Sequence, residues 1–378
     1  MSASRQALLL LTLAFCAACQ KPIELAWAFS SGSGSRSSPA VGKDMVLFGN
    51  EAGYLNAVDR SDGSSRWRFP TTKEIVGSPI VEGQSVYFGS TNYSFYALEQ
   101  ASGRSTWEFP THDEIKCSPA FAAGVVYFGS YDGHLYAVGA QDHQLVWQYP
   151  KIDEPAPAAA GGKPAAPAPE AGPAPKAFSY AHPLVAGGAI YAANLDGYLY
   201  ALDAKTGALR WRFKTQDGIT SSPVIDGDTL YFGSNDKKVY AITGLSGSAP
   251  AAPKVKWTFA TGDQVNATPL LDGGVLYIGG TDKVFYALDA ASGKKLWSAT
   301  LEGRIYGRAA VYKNLVFVGA GPGDGRLYAY DAKTGQPFWK YETNTKIQGD
   351  VVIEGDHLFV VSGDGQLLNF QINKTTPG

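Results

Sequence analysis

The sequence predicts an all-β chain, an eight-bladed β-propeller of four-stranded antiparallel blades closed by a strand from the N-terminus. Three observations carry this. All eight tryptophans fall in one column of a repeat, Trp27, Trp67, Trp107, Trp147, Trp211, Trp257, Trp297 and Trp339, with spacings of 40, 40, 40, 64, 46, 40 and 42 residues. A unit anchored on Ser-Pro or its equivalent recurs at the same period, as in SSPVIDGDTLYFGSNDKKVYAIT from Ser221 and ATPLLDGGVLYIGGTDKVFYALDAASGKKLW from Ala267. Within each unit short β-rich runs alternate with turn signals, as expected of radially repeated sheets.

Each element has its own signature. First strands are expected to begin at Ser38, Ser78, Ser118, His182, Ser222, Thr268, Arg308 and Asp350, which counts eight units. Second strands are of the VYFGS type. They turn into the third through tight dipeptides such as Asp132-Gly133 and Asp196-Gly197, where left-handed backbone is cheap for Gly, Asn or Asp. Third strands carry Ala57, Ala97, Ala137, Ala201, Ala241, Ala287 and Ala329 in one column, preceded in six units by Tyr, a large-with-small pattern suited to packed sheets. The turn Asp-x-x-Thr/Ser-Gly then leads to the Trp strand, its carboxylate read as capping the turn and not as a calcium ligand. The eighth unit ends without a Trp strand, and Leu25-Ala26-Trp27-Ala28-Phe29 supplies it, which removes the open edges of the ring.

Composition supports a large core: of 378 residues, 45% are hydrophobic, 12% aromatic and 17% charged. A net charge of -2 lacks the electrostatic footprint of a nucleic-acid binder. Residues 1–19 read as an export signal, because Arg5 precedes the apolar run Ala7 to Phe15, which is short of the ~20 residues a membrane span needs. The propeller is assigned to residues 20–378, with a Pro/Ala-rich insertion at 151–176 that reads as extended and disordered. Cys117 is the single cysteine of this body, so an internal disulfide is impossible.

The functional candidates lie where the chain approaches the ring axis. Two places before the first-strand column stand Arg36, Val76, Lys116, Tyr180, Thr220, Asn266, Tyr306 and Gln348. With a period of two, these and the first-strand column are expected to face a central channel. The candidate channel or partner-contact residues are therefore Arg36, Lys116, Tyr180, His182, Asn266, Tyr306, Arg308, Gln348 and Asp350, among serines and threonines. Arg308 and Asp350, on neighbouring units, are expected to form an ion pair. No nucleophile with an adjacent base, zinc spacing or phosphate-cradling loop is legible, and Gly319 to Gly325 (GAGPGDG) lies between strands and not before a helix.

The stretch Ala201-Leu202-Asp203-Ala204-Lys205-Thr206-Gly207-Ala208-Leu209-Arg210-Trp211 resembles the tryptophan-docking motif of the pyrroloquinoline-quinone-like propeller repeats. That superfamily includes quinoprotein dehydrogenases and the BamB-like lipoproteins of the outer-membrane β-barrel assembly machinery. Cys16-Ala17-Ala18-Cys19 likewise resembles the lipobox of bacterial lipoproteins, which makes Cys19 the lipidation site. Gln20 behind it favours outer-membrane sorting. The resemblance implies a non-enzymatic, monomeric envelope scaffold, lipid-anchored to the outer membrane and facing the periplasm, with envelope proteins and the barrel-assembly machinery as partners. A soluble periplasmic or secreted protein is the alternative location. The alternative functions are a quinone-dependent oxidoreductase and a propeller that binds glycan or another small ligand. The quinoprotein alternative would need pyrroloquinoline quinone with calcium. Because Cys117 is alone and Asp350 is the only acid in the lining columns, the chain is read as holding no cofactor and no metal.

Overall fold

The computed structural model describes residues 22–151, 175–178, 180–245 and 253–373. The export signal, Cys19 and most of the Pro/Ala-rich insertion lie outside the described residues. The rest forms eight four-stranded antiparallel sheets, each strand hydrogen-bonded to its neighbours in sequence. Blades 1 to 7 span 40–70, 80–110, 120–149, 184–214, 224–260, 270–300 and 310–342. Blade 8 joins Val352–Glu354, His357–Val361 and Gln366–Ile372 to the N-terminal strand Ile23–Ser30, which takes the outermost place.

The Trp column explains how blades lock together. In the outer strand the Trp pairs across the ladder with the Ala of the third strand, as in Ala241↔Trp257 and Ala287↔Trp297, next to a bulge. Its indole then reaches the following blade, where it donates to a turn carbonyl: Trp27 to Arg60, Trp67 to Gln100, Trp147 to Ala204, Trp257 to Ala290 and Trp297 to Ala332, at 2.9–3.1 Å. The glycine of that turn lies under the ring. A Cβ at Gly293 would sit 2.6 Å from Trp257, and the residue has φ +73°. In blade 3 His143 takes the glycine's place at φ 60° and stacks on Trp107 at 5.3 Å. The turn aspartates do cap: Asp203 Oδ1 accepts from the Thr206 N–H at 2.9 Å and Asp289 Oδ1 from the Ser292 N–H at 2.8 Å.

The tyrosines of the third strand bind the hairpin acids. Tyr136, Tyr200, Tyr240, Tyr286 and Tyr328 donate to Asp132, Asp196, Asp236, Asp282 and Asp324 at 2.6–2.8 Å. Four of these aspartates also accept a backbone N–H from the previous blade's connector, at His112, Gln216, Gly262 and Glu302. Each such carboxylate therefore ties its own sheet to the chain arriving from its neighbour.

One boundary differs from the sequence expectation. First strands begin two residues after the Ser column, at Ala40, Ile80, Ala120, Leu184, Val224, Leu270, Ala310 and Val352. Proline follows the column in six units and has no N–H for the ladder. The column's own N–H groups turn instead to the neighbouring blade.

Candidate functional site

Connectors bring the chain to the axis by crossing the end of the second strand. Ile75, Ile115, Val265, Ile305 and Ile347 are 0–1% exposed, packed where Gly49, Gly89, Gly233, Gly279 and Gly319 leave room for them. With that residue buried, the next one turns the other way, and it and the Ser column two places further on both reach the central cavity.

The cavity holds about 350 Å³. It is lined by Arg36, Val76, Lys116, Tyr180, Thr220, Asn266, Tyr306 and Gln348 from one column, and by Ser38, Ser78, Ser118, His182, Ser222, Thr268 and Asp350 from the other. Gly77 and Gly349 complete the wall. Arg308 is not part of this lining and its side chain is exposed. The expected ion pair with Asp350 is also replaced by a different bond: Asp350 Oδ1 accepts the backbone N–H of Arg308 at 2.7 Å.

That bond is one of five of the same kind between neighbouring blades. Ser38 N–H donates to Ser78 Oγ, Ser78 N–H to Ser118 Oγ, His182 N–H to Ser222 Oγ, and Asp350 N–H to Ser38 Oγ, at 2.8–3.0 Å. Short side-chain acceptors in this column thus stitch blade to blade, and Asp350 does in blade 8 what serine does elsewhere. Where Val351 replaces proline, its restored N–H donates to the Arg308 carbonyl at 3.0 Å. The departures in blades 7 and 8 are therefore a tighter backbone seam between those two blades.

Charges at the cavity are largely paired. Arg36 Nε lies 3.1 Å from Glu51, and Lys116 pairs with Glu114 while its ammonium sits 4.4 Å over the Tyr131 ring. Sequence reasoning missed both glutamates, because they come from a hairpin and a connector outside the lining columns. It also missed the lining glycines. A Cβ on Gly349 would fall 2.9 Å from the Ser37 carbonyl of the next blade, so only glycine lets the chain pass there.

Ser222 Oγ lies 3.0 Å from the His182 Nδ1 and also accepts the His182 N–H, so one serine holds both the ring and the backbone of this residue. Burial lowers the His182 pKa below its ordinary value; Asp350 opposes that shift and Arg308 adds to it. The unfolded chain therefore takes up this proton first as pH falls below ~6.5, and stability present above that pH is lost on acidification. We expect the melting temperature to fall more steeply from about pH 6.5 to 5 in the wild type than in His182→Gln. Parallel profiles for the two proteins would contradict this assignment.

The lining does not fit a calcium-held quinone. Calcium takes about six to eight oxygen ligands, carboxylates prominent among them. Asp350 is the one carboxylate here, and one of its oxygens is committed to Arg308. No group of three or more His, Cys, Asp or Glu suited to a metal occurs among the described residues. Cys117 is buried, with Sγ between the Gly129 N–H and carbonyl at 3.1 and 3.2 Å, and burial pushes its thiol up to about 12. Ser221 Oγ fills the equivalent place in blade 5, accepting from Gly233 N–H at 3.0 Å, which marks Cys117 as a packing residue.

A family model described as outer membrane protein assembly factor BamB matches residues 24–169, 169–282, 249–305 and 281–376. Among solved structures, BamB from Moraxella catarrhalis is similar in fold at a TM-score of 0.73 and 16% identity, covering 94% of this chain and 99% of that one. The computationally designed Ika8 protein is similar to the same degree, with a TM-score of 0.73, 16% identity, and 92% and 100% coverage. No curated protein matches in sequence.

Proposed function

Because the chain belongs to the propeller family described as outer membrane protein assembly factor BamB, we propose that it is a non-enzymatic, lipid-anchored envelope scaffold that assists assembly of outer-membrane β-barrel proteins. The observation that carries this reading is the family match from residue 24 to residue 376, which takes in the whole ring. Two features support it. The polar column at the axis holds blades together, through the N–H groups of Ser38, Ser78, His182, Arg308 and Asp350 that donate to side chains of the next blade. The export signal and Cys19 would leave only residues 20–26 between a lipid anchor and Trp27, a reach of at most ~25 Å that keeps a single monomeric propeller close to the periplasmic face of the outer membrane.

Affinity capture of the intact protein from its own envelope, with crosslinking, tests this reading. Recovery of barrel-assembly components with the wild type is expected, together with release of Cys19→Ala into the soluble fraction. Comparison with a chain lacking Pro155 to Pro175 reports whether the insertion takes part in contact. Recovery of no envelope protein by the wild type would sink the scaffold reading.

A further inference from the structure

The central cavity has a chemistry that blade packing does not use up. Its volume of about 350 Å³ lies within the range of small-molecule pockets. Two amide oxygens on its wall, Asn266 Oδ1 and Gln348 Oε1, are buried without a hydrogen-bond partner, although buried polar atoms are as a rule paired. Asp350 spends one oxygen on Arg308, and His182 engages Ser222 through Nδ1. The wall thus offers neutral acceptors, an imidazole and one carboxylate.

Charge decides what such a wall attracts. Arg36 and Lys116 are each neutralised by a glutamate, so an anion meets no free cation among these lining residues. Two aromatic rings complete the set. Tyr180 is 45% exposed at a left-handed φ of 60°, a conformation costly for a bulky residue. The Tyr306 ring lies against Gly321 of the GAGPGDG hairpin, where a Cβ would come 3.0 Å from Cδ2, and its hydroxyl is held by Arg304. Aromatic faces beside amides, hydroxyls and a carboxylate suit a ring that is apolar on its C–H face and carries hydroxyls at its rim.

We propose that the cavity binds a short neutral glycan of one or two sugar rings, with Tyr180 and Tyr306 against its C–H faces and Asn266, Gln348 and Asp350 accepting its hydroxyls. The proposal is independent of the scaffold reading, since capture of envelope partners neither requires nor excludes it. Saturation-transfer NMR on the full chain with trehalose, maltose and N,N′-diacetylchitobiose tests it, with inorganic phosphate and glucuronate as competitors. At least one neutral sugar is expected to receive saturation on its ring protons. Affinity should fall about tenfold or more in Gln348→Ala and in Tyr306→Ala, as one lost polar or stacking contact would give, without competition by either anion. Asn266→Ala replaces the Tyr306 variant should that one fail to fold. Absence of transfer to all three sugars, displacement by phosphate, or undiminished transfer in the variants would each overturn the proposal and leave the buried oxygens to water.

Discussion

Removing residues 22–30 is expected to abolish cooperative folding, because this strand serves three blades at once. It pairs with Gln366–Ile372 from Ile23↔Ile372 to Ser30↔Gln366. Ile23 is 2% exposed in a cluster with Leu315 and Phe317 of blade 7. Trp27 lies over Gly63 and donates to the Arg60 carbonyl of blade 1, while Phe29 meets Phe48 edge-on at 6.2 Å. Three large apolar side chains at ~1.5–3 kcal/mol each approach the ~5–15 kcal/mol that hold a typical domain folded. Blade 8 would also expose the third strand as an open edge. Thermal unfolding followed by circular dichroism, together with size-exclusion chromatography, should show a broad transition and self-association. A sharp transition within a few degrees of the wild type would show that the ring does not depend on this closure.

Trp257→Ala is expected to cost about 3–5 kcal/mol, the range for truncating a buried large aromatic side chain. Trp257 is 8% exposed, pairs across the ladder with Ala241, and donates to Ala290 at 3.0 Å. Its loss leaves a void between blades 5 and 6 and removes one of two hydrogen bonds to the Ala290 carbonyl, the other coming from the Tyr231 hydroxyl at 3.1 Å. Trp257→Phe should recover part of the packing but not the hydrogen bond. Gly293→Ala should destabilise through the same contact from the other side, since it places a methyl 2.6 Å from the indole at a φ of +73°. Chemical denaturation of the three variants checks this. Losses below ~1 kcal/mol for Trp257→Ala would mean that the Trp column does not lock the blades.

Blade number and closure were legible in the sequence because they follow from a period and a parity. Trp27 stands forty residues before Trp67 while the eighth unit lacks a Trp strand, so the strand had only one place to go. The two columns at the axis were legible for a similar reason. Ile75 and its counterparts must be buried, and an extended chain then presents the next residue to the opposite environment.

Partnerships between particular side chains were not legible. Arg308 and Asp350 carry opposite charges on adjacent blades, which suggests an ion pair to anyone reading letters. Their bond is instead from a backbone N–H to a carboxylate, because Asp350 stands where serines accept that same N–H around the ring. Glu51 and Glu114 likewise carry no pattern that marks them as counter-charges for Arg36 and Lys116. Nothing in the letters told that Cys117 takes the place of a buried serine.

The sequence by itself determined the strand period, the eight blades, the closing strand and the residues that approach the axis, since each depends on spacing along one chain. Only the tertiary structure decided which charges at the axis remain free, which acceptors are left unpaired and how the ring is stitched. Those are distances between particular atoms, whether two residues apart as in Lys116 and Glu114 or 312 apart as in Asp350 and Ser38, and a hydrogen bond or ion pair exists only within a few tenths of an ångström of its ideal length.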